Sequence, residues 1–73
     1  MDLEARTRKV LEILTSWKRS GINEGWVSRF VLSAHDAGGH ELEAVFQKIR
    51  GQGKRIEEAT FGRFGTTHFR LVD

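Results

Sequence analysis

The sequence predicts an α+β domain: three helices followed by a C-terminal two-stranded β-hairpin, with a very short strand after the first helix. Three observations carry this. Apolar residues recur at helical spacing in the first segment and again between Leu42 and Ile49. Residues 54–73 are rich in β-branched and aromatic types around Gly62-Arg63-Phe64-Gly65. Glycine marks most boundaries between these segments, and there is no proline.

The first helix is expected from Asp2 to about Ser20. Val10, Leu11, Leu14 and Trp17 fall at i, i+1, i+4 and i+7, with Ile13 beside them and Leu3 and Thr7 earlier on the same stripe. Asp2 suits the N-cap, Lys18 and Arg19 favour the negative end, and Gly21 can take the left-handed conformation that stops the helix. Ile22–Gly25 reads as a turn and Trp26-Val27 as the very short strand. Ser28 then caps a second helix, Arg29 to Ala34 or His35, with Phe30, Val31 and Ala34 expected inward.

Asp36-Ala37-Gly38-Gly39 breaks the chain before a third helix, expected from about His40 to Arg50. Leu42, Val45, Phe46 and Ile49 form its single apolar face, and Gly51-Gln52-Gly53 ends it. Opposite that face stand His40, Ala44, Gln47 and Lys48, flanked by Glu43 and Arg50 on one side and Glu41 on the other.

The hairpin is expected to pair Arg55–Phe61 with Thr66–Val72. Counting outward from the tetrapeptide sets Phe61 against Thr66, Ala59 against His68, Glu57 against Arg70 and Ile56 against Leu71. Ile56 and Leu71 then share a buried face, and Glu57 and Arg70 form a cross-strand ion pair on the other. The same register sets Glu58 beside Phe69, an awkward pair that a bulge in the first strand would relieve.

Length and composition bound the function. Seventy-three residues make one domain, residues 1–73. A domain of this size buries only about 60 % of the surface its unfolded chain exposes. There is no cysteine, so disulfides, cysteine zinc sites and thiol catalysis are excluded. No apolar run approaches the roughly 18 residues of a membrane span, and residues 1–8 do not resemble a signal peptide, so a cytoplasmic setting is expected. The net charge is +2, unevenly spread. Residues 1–21 carry Arg6, Arg8, Lys9, Lys18 and Arg19 against Asp2, Glu4 and Glu12. Residues 54–73 carry Lys54, Arg55, Arg63 and Arg70 against Glu57, Glu58 and Asp73. The two ends are thus mildly basic, and the third helix is not.

The order of elements, with Trp26-Val27-Ser28, Leu42-x-x-Val45-Phe46-x-x-Ile49-Arg50-x-x-Gly53, Ile56 and Phe69-Arg70-Leu71, resembles a winged helix-turn-helix. It is similar to the short winged-helix proteins of bacteriophages and prophages, and the likeness covers almost the whole chain. His35–Gly39 is longer and richer in glycine than the usual turn of that family. The resemblance implies that the third helix enters the major groove of double-stranded DNA and that the hairpin, the wing, reaches the backbone or minor groove.

The side chains give this reading its candidates. Gln47 and His40 can read base edges, Lys48 and Arg50 can meet guanine or phosphate, and Ala44 lets the helix approach a groove wall. Glu41 and Glu43 speak for a merely solvated face, since carboxylates repel phosphate. Arg63 is the strongest single candidate, because glycines on both sides expose it and an extended arginine suits a narrow minor groove. Phe64 beside it folds back onto the sheet, stacks on a base or sugar, or meets a protein, with folding back expected in the free protein. Lys54, Arg55 and Arg70 can line the backbone, although Glu57 competes for Arg70. Arg29 stands at the amide end of the second helix, where anions are favoured, while Ser28 is read as a structural cap. Arg6, Arg8 and Lys9 are solvated surface or a second phosphate track. Trp17 and Trp26 are expected in the core.

Enzyme signals are poor. His35, His40 and His68 lack metal-ligand spacing, and His40-Glu41 lacks the second histidine of a zinc-protease helix. Gly51-Gln52-Gly53 follows a helix instead of opening one, so it is no phosphate loop. The expectation is a DNA-binding regulator without catalysis or cofactor. The alternatives are a protein-interaction module on the same scaffold and a homodimer formed through the first helix.

Overall fold

A computed structural model of the chain describes residues 2–35 and 42–72. Helix α1 spans Leu3–Ser20 and is held at both ends as its sequence requires. The Asp2 carboxylate accepts a 2.7 Å hydrogen bond from the Ala5 amide, satisfying one of the unpaired N–H groups of the first turn. Gly21 closes the other end at φ 71°, with its amide donating to the Trp17 carbonyl. Thr7, Val10, Ile13 and Leu14 are buried, and Leu3, Leu11 and Trp17 pack half-buried against the core. Thr7 is a polar member of the buried stripe, and its hydroxyl donates to the Leu3 carbonyl at 2.7 Å.

A tight 3-10 turn, Ile22–Gly25, brings the chain back. Asn23 and Glu24 both adopt left-handed backbone there, and the Asn23 side-chain amide donates to the Trp26 carbonyl. Strand β1 is Val27–Ser28, one residue later than expected. The Trp26 amide is spent inside the turn, on the Asn23 carbonyl, so ladder pairing starts at Val27.

Helix α2, Arg29–Ala34, is capped by the Ser28 hydroxyl, which accepts from the Val31 amide at 3.2 Å. Its inward face differs from the expected one. Leu32 is fully buried, Val31 is half-buried, and Phe30 and Ala34 face solvent. One helical turn allows one buried position in a six-residue helix, and the core receives the residue four beyond the cap. The expected chain break at 36–39 and the expected start of the third helix at His40 lie outside the described residues. Helix α3 is described over Leu42–Gly51, and it buries Leu42, Val45, Phe46 and Ile49 as its spacing predicts.

Strands β2, Ile56–Phe61, and β3, Thr66–Leu71, pair in the expected register from Ile56–Leu71 to Phe61–Thr66. The amide of Val72 donating to the Arg55 carbonyl extends the ladder by one step. No bulge intervenes. Glu58 does sit opposite Phe69, but β3 is the central strand of a three-stranded antiparallel sheet in the order β1-β3-β2, so Glu58 lies at its edge. Its carboxylate stays in solvent while Phe69 is buried against Phe46, ring centroids 4.5 Å apart. A charge on the inward side of an edge strand also discourages pairing with another chain. The core lies between α1, α2, α3 and one face of this sheet. Among the described residues no helix is long and apolar enough to cross a membrane.

Candidate nucleic-acid interface

Burying Leu42, Val45, Phe46 and Ile49 forces the rest of α3 outward. Ala44, Gln47, Lys48 and Arg50 are all exposed, as is Glu43. His40 lies outside the described residues. Glu43 shapes this face more than its neighbours. The Gln47 amide donates to its carboxylate at 3.4 Å, and an Arg50 guanidinium nitrogen approaches the same oxygen at 3.9 Å. Residues at i, i+4 and i+7 line one edge of a helix, so one acid reaches both partners. Exposed pairs of this geometry contribute at most about 1 kcal/mol, so both side chains are readily released to a better partner. Lys48 stands on the other edge. It lines an open groove between the start of α1 and the end of α3, together with Glu4, Thr7, Arg8, Gly51 and Gln52. The fold thus brings Arg8 near the α3 surface, a meeting across forty residues of sequence that no local pattern announces.

The hairpin carries the second group of candidates. The Gly65 amide donates to the Gly62 carbonyl at 3.2 Å, which closes a four-residue turn with Arg63 and Phe64 at its corners. Gly62 at φ 90° and Gly65 at φ 63° take the left-handed backbone, so Arg63 and Phe64 need not. Arg63 is exposed as expected. Phe64 does not fold back. It remains 87 % exposed, because the turn projects beyond the reach of the core, and its contact is the Arg63 guanidinium, 5.8 Å from the ring centroid.

Lys54 is half-buried and Arg55 exposed in the link from α3 to β2, next to the hairpin's base. Arg70 is engaged: its Nε donates to Glu57 at 2.6 Å, and its guanidinium lies 4.4 Å from the Trp26 ring centroid. Arg29 is exposed on the first turn of α2. These candidates therefore form two groups, one on α3 and one on the hairpin, with Arg29 apart on α2.

Trp26 is not a core residue. The core takes Val27, and alternation along the strand turns Trp26 to the outer face of the sheet. There it meets Phe61 edge-on, centroids 5.5 Å apart at 77°, and Phe61 stacks on His68 at 3.9 Å and 12°. The His68 ring is oriented in turn by a 2.9 Å hydrogen bond between Nδ1 and the Thr66 carbonyl. The diagonal Phe61–His68 contact was readable from the hairpin register. The arrival of Trp26 was not, because it depends on β1 pairing with β3.

The homodimer expectation points to the outer side of α1, where Leu11, Glu12, Thr15, Ser16 and Arg19 line a shallow, open groove. Comparison with protein-family models, with curated proteins and with solved structures finds no match to this chain.

Proposed function

We propose that this chain is a winged helix-turn-helix domain that binds double-stranded DNA with sequence selectivity, acting as a small phage or prophage regulator of transcription or recombination. The observation that carries the reading is the architecture: α1, β1, α2 and α3 precede a hairpin whose second strand is central in the sheet, and the hairpin ends in a solvent-exposed arginine. The longest dimension of the molecule, 32 Å, is close to one turn of B-DNA, about 34 Å, so a helix and a wing can engage neighbouring grooves.

In this mechanism α3 enters the major groove. Gln47 reads a base edge, the role the sequence also gives His40, Lys48 reaches guanine or phosphate, and Ala44 permits close approach. A good bidentate contact of this kind discriminates against the wrong base by about 1–3 kcal/mol. Arg63 enters the adjacent minor groove, where negative potential is concentrated. Arg50, Lys54, Arg55 and Arg29 neutralise phosphates, which fixes the register without reading sequence. Glu43 must release Arg50 and Gln47 on binding, a modest cost for exposed pairs.

The test is a map of amide shifts as duplex DNA is added at low ionic strength. Shifts at Ala44, Gln47, Lys48, Arg63 and Phe64 are expected. No shift at either α3 or the hairpin contradicts the reading. It would favour a second one, a protein-interaction module on the same scaffold, for which the exposed Glu43 carboxylate on α3, engaged with Gln47 and Arg50, speaks.

A further inference from the structure

Among the described residues Phe64 is the most exposed of the large apolar side chains, at 87 % against 68 % for Phe30 and 51 % for Ile22. Three features of its setting point to what it does. The first is backbone. Gly62 and Gly65 absorb the chain reversal, and the Gly65–Gly62 hydrogen bond holds the corner that carries Arg63 and Phe64. The second is the stalk behind it. Among the described residues β1 pairs with β3 only at Val27–Phe69 and Ser28–His68, and no third strand among them covers the outer end of the hairpin. The stack of Phe61 on His68, with Trp26 against Phe61, braces the hairpin instead, and Phe61 directly precedes the turn. The third is charge. A guanidinium accompanies the ring at the tip, 5.8 Å from its centroid.

A braced stalk ending in one cation and one free aromatic ring matches the chemistry of the minor groove. An arginine is drawn into its negative potential. An apolar side chain delivered beside it inserts between base pairs, unstacks them and kinks the duplex, typically by about 20–90°. We infer that Phe64 is such a wedge, and that this protein bends the DNA it binds. The inference rests on the DNA-binding reading and adds an activity to it: the wing deforms the duplex as well as touching it. The preferred sites are pyrimidine–purine steps, above all TA, because these unstack most cheaply.

The experiment uses the whole chain and an A·T-rich duplex of about 30 bp with central TA steps. A donor and an acceptor label its two ends, and 2-aminopurine stands beside one TA step. Saturating wild-type protein at low ionic strength is expected to raise energy transfer between the ends and to brighten the 2-aminopurine as its neighbour unstacks. Phe64→Ala is expected to bind with the same salt dependence but to lose both signals. Phe64→Leu, which keeps an apolar wedge, is expected to retain them. Salt-sensitive binding by the wild type without either signal overturns the wedge and leaves the DNA-binding reading standing. Full bending by Phe64→Ala does the same. An absence of salt-sensitive binding overturns both.

Discussion

Phe30 and Leu32 are two residues apart on α2, and the fold gives them opposite surroundings. Leu32 is fully buried in the core, whereas Phe30 is 68 % exposed. Replacing Leu32 with alanine is therefore expected to cost about 2–5 kcal/mol, the range for opening a cavity under a buried leucine. Phe30→Ala should stay within about 0.5 kcal/mol of wild type, as substitutions of solvated side chains usually do. Urea unfolding of the two variants checks the contrast, and similar losses in both would contradict it. The sequence pattern predicted the reverse because hydrophobicity alone cannot orient a single turn of helix. With no second turn to set a period, the direction of α2 is decided by where β1 delivers it. The same limit applied to Phe64 and Trp26. Trp26 was expected in the core and Phe64 folded back onto the sheet, and only the tertiary arrangement reveals that the first lies on the outer face and the second stays in solvent. By contrast, Asp2, Gly21 and Ser28 were legible one by one, because a cap is a local interaction between a side chain or a glycine and its own backbone. Ser28→Ala should cost about 1 kcal/mol, read as a lower denaturation midpoint.

Among the elements, the hairpin was the most legible. Its two glycines locate the turn, and strand alternation then fixes each pair, including Glu57–Arg70. What remained hidden was the third strand. Without β1 beside β3, Glu58 opposite Phe69 looks like an error, and the outer face of the sheet looks merely polar. With it, Glu58 becomes an edge charge and the outer face becomes a row of Arg70, Trp26, Phe61 and His68. Two predictions belong to this scale. Gly62→Ala places a Cβ in left-handed backbone at φ 90°. No neighbouring atom obstructs it, so the cost is conformational alone, roughly 1–2 kcal/mol. Phe61→Ala removes the centre of the stack and should loosen the outer hairpin while the core persists. Amide hydrogen exchange then accelerates at Phe64–Thr67 and stays slow at Val10, Leu14 and Ile49. Uniform acceleration across the chain would show that the stack supports the whole fold and not the hairpin alone. Helix α3 is legible in a different sense: its buried face was clear from spacing, but the grip of Glu43 on Gln47 and Arg50 depends on rotamers that no pattern specifies.

At the scale of the whole molecule, length and charge say different things. Three helices and a small sheet take up most of the described residues, and the candidate side chains stand on their surfaces. The net charge of +2 is a weak guide, because the excess of basic over acidic residues lies at the two ends of the chain. The fold changes that picture by drawing Arg8 of α1 to the groove that Lys48 lines, and by setting Lys54 and Arg55 in the link that joins α3 to the hairpin. Arg8 and Lys48, forty residues apart, thereby meet beside α3, and Lys54 and Arg55 follow it in the chain. If that surface meets a duplex, roughly five basic side chains release counterions when the complex forms. The most direct measurement is the affinity for double-stranded DNA as a function of salt. The account predicts a linear fall of log K against log salt with a slope between about −4 and −5, and Arg63→Ala should lower the affinity and make the slope shallower by about one unit. Binding that ignores salt, or no binding even at low ionic strength, would contradict it.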